Sequence, residues 1–148
     1  MLASDLMIEV RPIKDSDRSA LSSIYLRCRI NTFPWMSKEG FKFSDFEDDT
    51  KDEKILVSTM DSKPVGFISI WMADHFIHHL FIDPNHQGQR LGEALLAEGL
   101  KIMGRPARLK CVVRNARACK FYEKHGWTIE STSQEGSMGP YRTYILVP

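Results

Sequence analysis

Gln87-Gly88-Gln89-Arg90-Leu91-Gly92 lies between an apolar run, Phe81-Ile82-Asp83-Pro84, and a helix-like run from Leu91 to Met103. A strand that ends in a glycine-bearing turn and re-enters as a helix points the free amides of the first helical turn outward. The helix dipole adds about 0.3–1 kcal/mol for an anion held there. The stretch therefore reads as a cradle for a pyrophosphate. A second pattern follows, Asn115-x-x-Ala118-x-x-Phe121-Tyr122-x-x-x-Gly126-Trp127. Neither pattern is specific alone; together, in this order, they make the chain readable. The glycines do not follow Gly-x-Gly-x-x-Gly, and no Gly-Lys-Ser/Thr occurs, which argues against a Rossmann dinucleotide site and a P-loop.

Working outward, Met7 to Pro12 alternates and reads as a first strand. Asp15 or Ser16 caps an expected helix through about Arg29, with Leu21, Ile24, Tyr25 and Cys28 at helical spacing. Asn31 to Phe46 holds Pro34, Gly40 and several aromatics, and reads as a loop with one short irregular helix. Those aromatics either pack over the core edge or shape a pocket. Lys54 to Met60 and Pro64 to Met72 form a hairpin through Asp61-Ser62-Lys63, with Phe76 to Ile82 as the next strand. After helix 91–103, Gly104-Arg105-Pro106 is a stop signal. Strand Arg108–Val113, helix Ala116–His125, strand Trp127–Glu130, a polar loop 131–140 and strand Tyr141–Val147 complete an α/β chain with a mixed sheet. There are no internal repeats and no interdomain linker, so residues 1–148 read as a single domain.

At 148 residues such a domain buries about 68–70% of its unfolded surface. The net charge of +1 is too small for a nucleic-acid footprint. Basic residues cluster in Lys101 to Arg117, which suits a small polyanion better than a duplex. Cys28, Cys111 and Cys119 lack metal-ligand spacing and fit a reducing compartment as small apolar residues. Met1-Leu2-Ala3-Ser4-Asp5 has no basic region before an apolar stretch, and no segment reaches the ~20 apolar residues of a membrane span. The expectation is a cytoplasmic protein without a nucleic-acid or membrane partner.

The two patterns and the element order resemble the GNAT superfamily of acetyl-CoA-dependent N-acetyltransferases. The signature of that family is Gln/Arg-x-x-Gly-x-Gly/Ala, and Gln87 and Gly92 fill its outer places. Arg90 stands where the family usually has glycine, keeping a backbone amide and adding a guanidinium for phosphate. The resemblance implies a central mixed, mostly antiparallel sheet with splayed strands, flanked by helices (α+β in detail). It implies acetyl-CoA as cosubstrate, its pyrophosphate over Gln87, Gly88, Gln89, Arg90, Leu91, Gly92 and Glu93. Pantetheine would run between the splayed strands 76–82 and 108–113, against the main chain of Leu80, Phe81 and Ile82, with Asn115 on its arm. Lys120 faces a phosphate region in this reading, or is a solvated helix lysine. Residues 31–50 and 131–142 would wall the acceptor side.

In this family an amine attacks the thioester directly. A lysine-like amine has pKa ~10.4, so presenting it neutral at pH 7 costs about 4–5 kcal/mol. Tyr122 fills the place of the family tyrosine that protonates the CoA thiolate; the plainer reading is a core aromatic beside Phe121. Some relatives carry a basic glutamate at the place of Phe76, which cannot do that work, and others a histidine at the place of His78. Strand alternation sets His78 on one side with Leu80 and Ile82, and His79 on the other. His78 and His79 are both candidates for the base; the plainer alternative is a structural histidine. His75, His78, His79 and His86 do not predict a metal, because adjacent strand residues diverge and no carboxylate spacing supports a site.

The acidic run Asp45, Glu47, Asp48, Asp49, Asp52 and Glu53 reads as a solvated face, or else as an attractor of a cationic amine. The resemblance implies a small-molecule or peptide amine as acceptor. A non-catalytic acyl-CoA sensor and an acyltransferase for longer chains are the alternatives. The C-terminal strands could pair across a homodimer.

Overall fold

The computed structural model describes residues 7–148; the N-terminal stretch Met1–Asp5 lies outside them. Strand β1 (Ile8–Pro12) leads through a single 3-10 turn, Asp15–Asp17, into helix α1 (Arg18–Thr32). Neither Asp15 nor Ser16 caps that helix. Asp17 takes the anchoring part instead: its carboxylate accepts both arms of Arg11, at 2.7 and 3.0 Å, and the amide of Lys14 at 2.8 Å. Helix α2 (Asp45–Asp49) precedes β2 (Lys54–Met60), β3 (Lys63–Trp71) and β4 (Phe76–Ile82). Helix α3 (Leu91–Met103), β5 (Ala107–Val112), α4 (Ala116–Lys124), β6 (Thr128–Ser133) and β7 (Tyr141–Leu146) complete the fold. The expected hairpin turn is made by Asp61 and Ser62, both at positive φ (49° and 71°), the combination a two-residue type I′ turn demands.

The seven strands form one sheet in the order β1-β2-β3-β4-β5-β7-β6. Every neighbouring pair is antiparallel except β4 with β5. Period-two alternation divides the central strands between two cores. Ile55, Val57 and Phe67 face α1 and α2, packing on Leu21, Ile24, Tyr25 and Phe46. Leu56, Ile68 and Ile70 face the other way, onto Leu95, Leu96 and Met103 of α3. Burial on both faces is why β2 and β3 read as continuous apolar runs. Cys28, Cys111 and Cys119 are free and buried. Among the described residues, no helix is long and apolar enough to cross a membrane.

The parallel pair is short. β4 and β5 pair only at Phe76↔Arg108 and Ile77↔Leu109 and then separate. On the other side of β4, Ser69 pairs with His79 and Ile70 with Ile77, so His78 is an extra residue without a partner. This β-bulge bends the strand and resets its alternation. Ile77, Leu80 and Ile82 belong to the α3 core, and Phe81 to the α1 core. His78 and His79 therefore lie on the same side, close together with ring centroids 5.1 Å apart. The expectation that His78 would share a face with Leu80 and Ile82 is corrected, and so is the argument from diverging neighbours.

Gly66 of β3 pairs with Ile82, the last residue of β4. A Cβ there would come within 2.6 Å of Ile82 Cδ1, 2.8 Å of the Phe81 carbonyl oxygen and 2.9 Å of Ser58 Oγ. The carbonyl belongs to the sheet and cannot swing aside. Gly66→Ala is expected to cost about 1–3 kcal/mol, read as a lower denaturant midpoint at unchanged m-value.

Candidate active site

Separation of β4 from β5 opens a cleft through the sheet with a cavity at each mouth. The first, about 440 Å³, is lined by Tyr25, Arg29 and Phe33, by His78 to Phe81, by Leu109 to Val112, and by residues 135–139 and Tyr141. The second, about 610 Å³, is lined by Cys28, Asn31, Thr32, Ile82, His86 to Gly88, Arg90 to Glu93, Arg117, Phe121 and Lys124. Leu80, Phe81, Asn115, Ala118 and Tyr122 border both. Two molecules, one in each cavity, would thus meet over those five residues.

The second cavity holds the anion cradle. Helix α3 starts at Leu91 with Arg90 as its N-cap, which supplies no side-chain acceptor. The first helical amides are left free, as at any helix start, and they line the cavity at Leu91, Gly92 and Glu93. Gly88 (φ +86°) and Arg90 (φ +60°) both take the left-handed conformation that brings the chain round into the helix. Gln87 braces the turn: its Nε2 donates to the Ile82 carbonyl at 3.4 Å, and its Oε1 accepts from Arg117 at 3.0 Å. Glu93 pairs with His125 at 3.3 Å. Gln89 and Lys120 line neither cavity.

Asn115 caps α4, its side-chain oxygen accepting from the Ala118 amide at 3.3 Å. Tyr122, two turns into that helix, is 8% exposed and packs edge-on against Phe121 and Trp127. Its hydroxyl has no hydrogen-bond partner among the described residues. Burial, and then the nearby Cys111 and Cys119, push the phenol up from its ordinary pKa, so it is a proton carrier at neutral pH.

The two bulge histidines differ in environment. The Tyr25 hydroxyl donates to Asp49 at 2.7 Å, so towards His79 Nε2, 3.3 Å away, it can only accept. That puts the His79 proton on Nε2 and leaves Nδ1 to accept from Ser69 Oγ at 2.8 Å. Burial, with the neighbouring His78 and Arg29 adding to it, holds His79 down to about 3. His78 is half-exposed, and its Nδ1 is hydrogen-bonded to Glu53 Oε2. Glu53, with a side chain only 2% exposed, is the site residue that sequence reasoning missed. The acidic run is not one solvated face: Asp45 pairs with Arg29, Glu47 with Arg18, Asp49 binds Tyr25, and Glu53 holds the bulge. A buried carboxylate is legible only once its partner is known, and the bulge supplies that partner.

The first cavity is roofed by two loops. The Trp35 indole donates to the Met138 carbonyl at 3.0 Å, and the Arg114 guanidinium lies over the Trp35 ring at 4.1 Å.

A sequence model described as the Acetyltransferase (GNAT) family matches residues 18–127, which covers the cleft, the cradle and most of the sheet. The chain belongs to the GNAT acetyltransferase family. Solved structures agree in fold. The apo form of YjaB from Escherichia coli superposes with a TM-score of 0.76 at 22% identity, over 94% of this chain and 97% of that one. PaiA N-acetyltransferase from Thermoplasma acidophilum, in complex with coenzyme A, gives 0.74 at 19% identity, over 95% and 99%. YncA from Salmonella typhimurium with its cofactor acetyl-CoA gives 0.69 at 17% identity, over 95% and 93%. A comparison with curated proteins gives no match.

Within the GNAT frame, Arg90 is the departure that carries a measurable cost. Its left-handed φ is the conformation that favours glycine, the usual occupant, and a side chain there is strained by about 1–2 kcal/mol. Arg90→Gly is therefore expected to raise the unfolding free energy by up to about 1 kcal/mol after glycine's greater unfolded-chain entropy is subtracted. Equilibrium urea unfolding reads the sign, and a lower midpoint would contradict it.

Proposed function

We propose that this GNAT protein transfers the acetyl group of acetyl-CoA to a primary amine by direct attack in a ternary complex. The carrying observation is the pair of cavities that share Leu80, Phe81, Asn115, Ala118 and Tyr122. Both volumes lie within the range of small-molecule sites, about 300–1,000 Å³. In this reading acetyl-CoA occupies the larger cavity, its pyrophosphate on the amides of residues 88–93 and its pantetheine along the open edge of β4. The acceptor enters the smaller cavity beneath the Trp35–Met138 bridge. The reaction needs no metal ion.

His78 is the better base of the two histidines. With its Nδ1 proton directed at Glu53 Oε2, its Nε2 carries the lone pair, and the residue lines the accessible acceptor cavity. His79 has both ring nitrogens committed. The amine nitrogen attacks the thioester carbonyl carbon, its proton passes to His78 Nε2 directly or through water, and the carbon–sulfur bond breaks. The departing sulfur takes the Tyr122 proton, and solvent returns one to the phenolate. The same burial that raises the phenol also makes a thiolate costly in the cleft, so the two effects offset each other and the proton can still pass to the sulfur.

The position of Arg90 in the cradle favours a second reading, an acyl-CoA sensor that binds without turnover. One sample separates them: calorimetric titration with acetyl-CoA, then acetylated product measured over a panel of amines. Binding with amine-dependent product supports the transferase, and binding without product for every amine supports the sensor. For an active transferase, Tyr122→Phe is expected to lower kcat by about 10²-fold or more, the usual worth of a general acid. The dissociation constant for acetyl-CoA should change little, because the hydroxyl is spent on the departing sulfur.

A further inference from the structure

The three side chains gathered at the bulge make a second kind of site. One ligand atom from each of Glu53, His78 and His79 lies within 4.8 Å of the others. Two carboxylate-facing nitrogens would ordinarily be explained as donors to that carboxylate, and His78 is one. His79 is not. Its proton is on Nε2, fixed there by the chain through Tyr25 to Asp49. Its unprotonated Nδ1, which accepts from Ser69 Oγ, therefore stands 3.9 Å from Glu53 Oε1 with no proton between them. Glu53 Oε1 is itself buried and has no hydrogen-bond partner among the described residues. A buried carboxylate oxygen without a partner, beside an imidazole nitrogen that carries no proton, favours a bound positive charge.

We propose that Glu53, His78 and His79 bind a divalent transition-metal ion of the zinc class, and that its occupancy shuts off acetyl transfer. Two histidines and one glutamate form a ligand set that zinc accepts while keeping a further position for solvent. Ligand atoms about 2.0–2.2 Å from one zinc ion stand about 3.3–3.6 Å apart in a tetrahedron. The Glu53–His79 separation lies within a few tenths of an ångström of that. The outer contacts fit as well. A metal-bound histidine donates its other N–H to a fixed acceptor, and His79 Nε2 already donates to the Tyr25 hydroxyl, which Asp49 holds. Binding requires the buried Ser69 hydroxyl, the present donor to Nδ1, to turn away, a cost that the metal bond must exceed.

The inhibitory part rests on the transferase reading above. A metal at His78 Nδ1 displaces the proton that now bonds Glu53, and in a neutral ring that proton goes to Nε2. The nitrogen proposed to receive the proton of the amine then becomes a donor. The metal would also occupy a wall of the acceptor cavity.

The full-length protein, stripped with chelator and dialysed, is titrated with Co²⁺ and then Zn²⁺. The expected result is one equivalent of Co²⁺ with the visible bands of a four- or five-coordinate site, without thiolate charge transfer, displaced by one equivalent of Zn²⁺. His78→Ala, at a half-exposed position, should lose the bands and weaken Zn²⁺ binding at least about tenfold, with its metal-free melting temperature kept. Glu53→Gln, which keeps the shape of the side chain, should do the same. His75→Asn, outside the cluster at a left-handed φ that asparagine tolerates, should keep the site. Absence of a one-to-one Co²⁺ complex, or bands unchanged in His78→Ala, overturns the site. Acetylated amine, measured by mass, should fall in parallel with occupancy in the unmodified protein. Full occupancy with undiminished transfer overturns the inhibitory role. Metal binding by a protein inert to every amine leaves the site standing and removes the transferase reading instead.

Discussion

One unpaired residue, His78, controls the architecture of the cleft. A parallel pair is held by evenly spaced hydrogen bonds, and an extra residue on one strand cannot be absorbed without bending it. β4 accordingly keeps β3 as a neighbour along its length and keeps β5 for only two residue pairs. Beyond them, the edge of β4 that faces β5 is left without a strand to bond. A sheet edge inside a domain is ordinarily a liability. Here it borders a cleft whose occupant can use the backbone groups as a strand would.

The opening persists because the parts around it are fixed independently. β2 and β3 are buried on both faces, so the wall behind β4 is rigid. The bulge is closed on the α1 side by a polar chain from Asp49 through Tyr25 and His79 to Ser69, in which each hydrogen has an acceptor. Such a chain is stable when complete and costly when interrupted. Glu53, beside that chain, has one oxygen bonded to His78 and the other without a partner among the described residues. The chemistry of the site thus collects where regular strand geometry fails.

Much of the fold was legible because local signals agreed. Strand β4 and helix α3 have the boundaries read from their apolar pattern, and the hairpin and the helix stop lie where turn residues put them. Differences occur where a contact distant in sequence decides. Asp17 anchors the start of α1 because Arg11 from β1 reaches it, and β6 runs to Ser133 because β7 offers it a ladder. At the site, Gln87, Gly88, Arg90, Leu91, Gly92, Glu93, Asn115 and Tyr122 gather around one cavity. Gln89 and Lys120 do not line it, since helical and turn periodicity turn them away. The meeting of His78, His79 and Glu53 was illegible for a definite reason. Strand periodicity predicts opposite facings for neighbours, and a bulge is a property of the pair of strands rather than of either sequence.

The roof of the smaller cavity has a consequence for how such a molecule diversifies. Trp35 and Met138 come from segments more than a hundred positions apart, and the bond between them joins two loops that carry no strand of the sheet. Replacements there would remodel one chamber while β4, β5 and the start of α3 keep their places. Novelty in what is accepted can thus accumulate in two short stretches of chain, under little constraint from folding, while the machinery that handles the common donor is inherited intact.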